Sequence, residues 1–222
     1  MKSKVKIITE ITLVFFLILA LTSMPLLFKM LFDNQAVTAV GVMVEYTLMA
    51  IVVLAACKIR KSSCTDFLGI EKTTVSKQLL FSLIPFLITL TVVILIPLAL
   101  GVDKTYVLSV KYTDITVLIL RIAATLFFVG TVEEYIFRGY LLSRIKNDLG
   151  LNDFTACLIS SLMFGFWHFP SSLSLVNVLC TSVIGLFYSL LLVKCKNCTV
   201  LSLGIAHGLY DSAIILLSFF ML

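Results

Sequence analysis

Gly130-Thr131-Val132-Glu133-Glu134-Tyr135-Ile136-Phe137-Arg138-Gly139-Tyr140 sets two adjacent carboxylates and an arginine late in a long apolar run. An ionisable group inside a bilayer costs on the order of 2.5–3.5 kcal/mol even on the lenient insertion scale, so it marks a functional site or is neutralised by a partner. The rest of the chain shows that a bilayer is its solvent. Of 222 residues, 60% are hydrophobic and 13% charged, and the mean hydropathy is +1.13. A water-soluble fold needs more charge. A spanning helix takes about 20 apolar residues, which leaves room for roughly seven or eight spans joined by short loops. The expected fold is therefore all-α, a polytopic membrane helix bundle forming one integral membrane domain over residues 1–222.

Working outward, the stretch closes a fourth apolar segment, 115–142, which is long for one straight span and calls for a tilt or a break at Gly130. Before it, three lysines in 1–6 precede an apolar segment at 7–28. That segment is too long for a signal peptide and no small-x-small site follows, so it reads as a retained first helix. Asp33, Asn34 and Gln35 separate it from a second helix, 36–57, with one acid, Glu45. The polar stretch 58–77 offers Thr73 or Thr74 as a cap for a third helix, 78–100, with Pro85 and Pro97 as kinks. A loop is expected over 101–114. After the opening stretch come a basic-polar turn, 143–153, with Asn152 or Asp153 as a cap, and a short fifth helix, 154–169, stopped at Pro170. The sixth covers 173–193, and the last covers 199–221.

Lys and Arg collect in cytoplasmic loops. With the N-terminus inside, 13 of the 17 basic residues fall on the cytoplasmic side, and only Lys29, Lys104, Lys111 and Arg121 fall toward the other. The net charge of +5 then reflects topology and anionic lipid headgroups, not nucleic-acid binding. Most of the six cysteines lie near that reducing face, so disulfides are not expected, and Cys195-x-x-Cys198 reads as thiols in a turn.

Three constellations carry chemistry. Residues four apart share a helix face, so Glu134 and Arg138 pair, while Glu133, about 100° away, points elsewhere and keeps an unneutralised carboxylate of the kind a general base requires. The alternative is a structural ion-pair network. In Phe164-Gly165-Phe166-Trp167-His168-Phe169-Pro170, Phe164 and His168 share a face; the alternative is a core histidine. In His207-Gly208-Leu209-Tyr210-Asp211, His207 and Asp211 share a face, and Gly204 and Gly208 permit close approach of another helix. These are the only two histidines in the chain. From the cytoplasmic helix ends, Glu133, His168 and His207 lie at depths of roughly 12–21 Å, compatible with one cavity.

The order E-E-x-x-x-R, F-x-x-x-H and H-x-x-x-D on three helices resembles the CAAX protease and bacteriocin-processing (Abi) family of intramembrane endopeptidases. The likeness runs over about 121–222, with Ser160-Ser161-Leu162-Met163-Phe164-Gly165 adding to its texture, and divides the chain into supporting helices, 1–114, and a catalytic core, 115–222. The resemblance implies that Glu133 activates a water, His168 assists, Glu134 and Arg138 orient the site with Phe164 beside them, and His207 with residue 211 holds the oxyanion. Asp211 departs from the members that carry asparagine, since an ionised aspartate cannot donate a hydrogen bond; it then orients His207. The resemblance further implies a peptide or protein substrate of the lipidated or bacteriocin-related kind, a cell-membrane location among lipids and no cofactor. Zinc held by Glu133, His168 and His207 is the minority alternative, disfavoured because no H-E-x-x-H pair occurs on one helix. A bacteriocin immunity or scaffold protein of the same fold is the second functional reading. A proton-coupled transporter is the third, although the polar groups cluster in one half without an internal repeat.

Overall fold

A computed structural model describes residues 4–60, 74–108, 111–112 and 114–222. The described residues are helical throughout, joined by short turns. Helix α1 spans Lys4–Leu21, α2 Met24–Phe32 and α3 Gln35–Arg60. Helix α4 spans Val75–Ala99 and includes a wide π turn at Thr91–Leu95 between its two prolines, Pro85 and Pro97. The short α5, Lys104–Leu108, follows. Helix α6, Ile115–Asp148, is the longest at 34 residues. Then come α7 Asp153–Trp167, α8 Phe169–Ser172, α9 Leu175–Lys194 and α10 Val200–Met221.

Six segments among the described residues are long and apolar enough to cross a membrane: α1 with α2, then α3, α4, α6, α9 and α10. The seventh span expected from sequence exists as α7, but its 15 residues rise only about 22 Å, short of a hydrocarbon core of about 30 Å. Helix α7 and the single turn of α8 together form one arm of a hairpin with α9. Gly165 lets the arms close: a Cβ there would lie 2.0 Å from Ser182 Oγ.

Four other expectations are corrected. The first span breaks at Thr22-Ser23, with Pro25 opening α2, where its missing N–H has no helical acceptor to lose. No break occurs at Gly130, whose φ of −57° is helical. The extra length of α6 is absorbed by π turns at Thr125–Val129, Tyr135–Leu141 and Arg144–Asp148, with one regular turn, Gly130–Glu134, between the first two. The turn expected over 143–153 is helical to Asp148, and the reversal comes at Gly150, φ +71°. The loop expected at 101–114 contains α5.

Caps read from sequence hold at Asn152, whose side chain accepts from the Thr155 N–H. Thr74 sits at the start of α4 without a side-chain capping bond, and Thr73 lies outside the described residues, as does Cys64. Cys157, Cys180 and Cys195 are thiols.

Two contacts position the site. Gly130 on α6 meets Gly204 and Gly208 on α10 so closely that a Cβ at 130 would lie 2.3 Å from the Gly208 amide nitrogen. No side chain larger than hydrogen fits, and the carboxylates of α6 are thereby brought to His207. The second is the apolar core: Ile18 of α1 and Met49 and Val53 of α3 pack with Ile136, Phe137 and Leu141 of α6, all fully or almost fully buried. The same interface ends in a charged clasp, where Arg60 pairs with Glu10 and, at 3.0 Å, with Asp148, Arg144 pairs with Asp148 at 3.0 Å, and the Tyr140 hydroxyl donates to Glu10 at 2.6 Å.

Candidate active site

Glu133 and Glu134 lie in the single regular turn of α6 between two π turns. The wide turn at Tyr135–Leu141 begins one residue after Glu134. Such turns relax the backbone ladder and re-aim side chains, and they are frequent at functional sites. Both carboxylates are almost completely buried, and their partners differ.

Glu134 is held through one oxygen by two partners, while its Oε2 has no hydrogen-bond partner among the described residues. Its Oε1 accepts from Arg138 Nη1 at 3.1 Å, and His207 Nδ1 lies 3.0 Å from the same oxygen. An ionised carboxylate only accepts, so His207 carries a hydrogen on Nδ1 and turns Nε2 the other way. There Nε2 lies 3.7 Å from Glu133 Oε2 and 3.7 Å from Asp211 Oδ2. The expected pairing of Glu134 with Arg138 is present, and a contact that sequence spacing does not supply, Glu134 to His207, joins the first and third constellations directly.

Glu133 takes one hydrogen bond, from the Tyr46 hydroxyl of α3 to its Oε1. Its Oε2 has no hydrogen-bond partner among the described residues and faces His207. A separation of 3.7 Å is beyond hydrogen-bond range for nitrogen and oxygen. Glu133 therefore presents an oxygen inside the protein toward a polar space bounded by His207 and Asp211.

His168 stands on the other side of an aromatic wall. Its Nδ1 lies 2.9 Å from the Phe164 carbonyl; a carbonyl accepts, so Nδ1 carries the hydrogen and Nε2 keeps a lone pair. The ring meets Phe164 edge-on at 4.7 Å and Trp167 at 4.8 Å. Phe164 in turn meets His207 at 6.1 Å and lies 4.2 Å under the Arg138 guanidinium. It is the common neighbour of both histidines and the arginine, which stacks on its face as a cation on an aromatic ring. Glu133, Glu134, Arg138, His207 and Asp211 thus form one contiguous cluster, to which Phe164 connects His168.

Two cavities flank the cluster. One of about 610 Å³ is lined by Glu45, Tyr46, Trp167 and His168, with Lys29 and Pro25 toward the break between α1 and α2. The other, about 200 Å³, is lined by Asp211, Tyr112, Arg121 and Thr125. Val42 and Val129 border both. Tyr46, Trp167, Glu45 and Tyr188 belong to the site or its walls, and sequence spacing does not single them out as such. Tyr188 meets His207 at 6.1 Å and hydrogen-bonds Thr89 at 3.4 Å. The one usable signal among them is Glu45, an acid inside an apolar span. No group of three or more His, Cys, Asp or Glu among the described residues is arranged to hold a metal ion.

Residues 115–213 match the Type II CAAX prenyl endopeptidase Rce1-like family. The Rce1-like segment begins where α6 begins and includes Glu133, Glu134, Arg138, Phe164, His168, His207 and Asp211. At the level of this family the activity is that of a CAAX-type protease acting on a peptide or protein substrate. Together with the six spans, it makes the chain a multi-pass membrane protein. No curated protein and no solved structure matches the chain. Helices α1–α5, including Tyr46, lie outside the Rce1-like segment.

Proposed function

We propose that the protein is an intramembrane endopeptidase in which Glu133 activates the water that attacks a peptide carbonyl. One observation carries this reading: the free oxygen of Glu133, Oε2, faces His207 Nε2 at 3.7 Å, whereas Glu134, whose Oε2 is likewise without a hydrogen-bond partner among the described residues, is bound through Oε1 by both the Arg138 cation and His207. A water between Oε2 and Nε2 gives a proton to Glu133 and its oxygen to the carbonyl carbon. The protonated carboxyl then returns the proton to the leaving amine.

His207, with a hydrogen on Nε2 as well as on Nδ1, sits where charge develops on the carbonyl oxygen, and preorganised donors at such a position contribute a few kcal/mol each. Glu134 and Arg138 hold His207, and Asp211 fixes its orientation from the far side. His168, with its lone pair turned away from Phe164, assists from the larger cavity, where the peptide enters. The larger cavity lies beside Lys29, which the distribution of Lys and Arg assigns to the side opposite the N-terminus. The hydrolysis is metal-free: His207 Nδ1 is already committed to Glu134, and Arg138 places a permanent cation on that same carboxylate, two features unsuited to a second cation there.

The test is cleavage of a farnesylated CAAX peptide by the protein in proteoliposomes. Glu133→Gln removes the base and lowers kcat by about 10²–10⁴-fold. His168→Ala lowers it as well, with both variants accumulating normally. Full activity in both variants would sink the protease mechanism and leave a scaffold or immunity role. Loss of wild-type activity on chelation, restored by zinc, would overturn metal-free hydrolysis.

A further inference from the structure

Glu133 owes its fixed orientation to a residue far away in the chain. Tyr46, 87 positions earlier on α3, is 6% exposed, and its hydroxyl donates to Glu133 Oε1. The ring stands edge-on to Trp167, 6.1 Å away. Trp167 is itself buried and packs on Phe137 at 5.8 Å. The phenol therefore has little freedom, and its position is set by packing with α6 and α7.

A carboxylate anchored through neither oxygen rotates about its last bond and exchanges the two. One strong donor on Oε1 ends that exchange and leaves Oε2 alone toward His207. Hydrogen bonds to an ionised acceptor are about twice as strong as neutral ones. Glu45, next to Tyr46 in sequence, lines the larger cavity with His168. Tyr46 lines the same cavity and touches Glu133, so it stands between the route of entry and the carboxylate.

From these contacts we infer that Tyr46 is a positioning residue for the reaction, holding Oε1 of Glu133 so that Oε2 is the oxygen that takes the proton from water. The helix that supplies it belongs to the N-terminal part of the chain, outside residues 115–213. The recognised segment is then incomplete as a catalytic unit: α3 contributes a group to the site in addition to covering it. This inference rests on Glu133 being the base.

The experiment uses the full chain in proteoliposomes with a farnesylated CAAX peptide, comparing wild type, Tyr46→Phe, Glu133→Gln and the double variant. Phenylalanine keeps the ring that packs on Trp167 and removes only the hydroxyl, so the thermal midpoint stays close to that of wild type. The expected result is a kcat lowered roughly 10- to 100-fold, the loss expected for one hydrogen bond to a charged group, with KM within about twofold. In the Glu133→Gln background the second substitution adds little, since the oxygen it positioned no longer acts as a base.

A Tyr46→Phe enzyme with unchanged kcat, beside an inactive Glu133→Gln, would overturn the inference alone. A parallel fall in kcat, affinity and thermal midpoint would reduce Tyr46 to a packing residue. An active Glu133→Gln, or a wild type that does not cleave the peptide, would overturn the reading of Glu133 and the role of Tyr46 with it.

Discussion

Helix α6 carries two buried or half-buried charged clusters, one at its centre and one near its C-terminal end, and they are built on different principles. Near the C-terminal end, Arg60 and Arg144 meet Glu10 and Asp148, with the Tyr140 hydroxyl on Glu10. Two cations face two anions, and the acids keep 22% and 31% of their side-chain surface exposed. At the centre, Glu133, Glu134 and Asp211 surround one arginine, Arg138, and one histidine, His207. Here carboxyl groups outnumber the permanent cation three to one, and Glu133 and Glu134 are almost entirely shielded from solvent. The balanced cluster ties α1, α3 and α6 together. The unbalanced one leaves one oxygen of Glu133 and one of Glu134 without a hydrogen-bond partner among the described residues, a condition that costs stability.

The largest effect that sharpens this contrast is expected at Arg138. Its guanidinium and the Glu134 carboxylate are both completely buried, and removing one partner of such a pair leaves an uncompensated charge at about 3–5 kcal/mol. Arg138→Ala should lower stability in detergent by that order, and activity with it, because Glu134 also holds His207. Chemical denaturation of the purified variant measures the first quantity. A loss under about 1 kcal/mol would mean that His207 alone suffices for Glu134, and would remove Arg138 from the structural half of the site.

Arg60→Ala is the counterpart in the clasp, and its effect is smaller. Asp148 keeps Arg144, Glu10 keeps Tyr140, and solvent reaches both acids. The expected cost is about 1–2 kcal/mol of stability, with kcat on the farnesylated peptide unchanged. A variant that folds but loses catalysis as fully as Glu133→Gln would break the comparison, since it would make the clasp part of the catalytic machinery.

The sequence exposes this division only in part. The pairing of Glu134 with Arg138 and the proximity of His207 to Asp211 follow from spacing along one helix, and the Gly204/Gly208 approach follows from residue size. Contacts between helices are not available in that way. Tyr46 looks like any aromatic in an apolar span, and its role depends on which residue of α6 it faces. The bond of His207 to Glu134 depends on how α10 packs on α6, and no composition signal marks the three π turns of α6. The length of α6 suggests a tilt or a break at Gly130; there is no break, and the residue is a contact glycine, because α10 is close. The short α7 shows the converse limit: its apolar character matches a span, but it is a regular helix for only 15 residues and continues through the single turn of α8 beside α9.

The smallest expected effect lies at the other end of α6, where an exposed charge does local work without any cluster. Asp114 caps the helix by accepting from the Val117 and Thr116 N–H groups at 3.0 and 2.7 Å, and these bonds hold its carboxyl below the usual range. A carboxyl whose folded value is depressed contributes fully above its unfolded value, near 3.9, and loses that contribution as pH falls through the folded one. The advantage of wild type over Asp114→Ala in thermal midpoint should therefore be constant near neutrality and shrink below about pH 4. An asparagine side chain caps without titrating, so the gap between Asp114→Asn and Asp114→Ala should not depend on pH. A wild-type advantage that persists unchanged into strong acid would show that the cap works through geometry alone. The charge on α6 that matters for folding would then be confined to the two buried clusters.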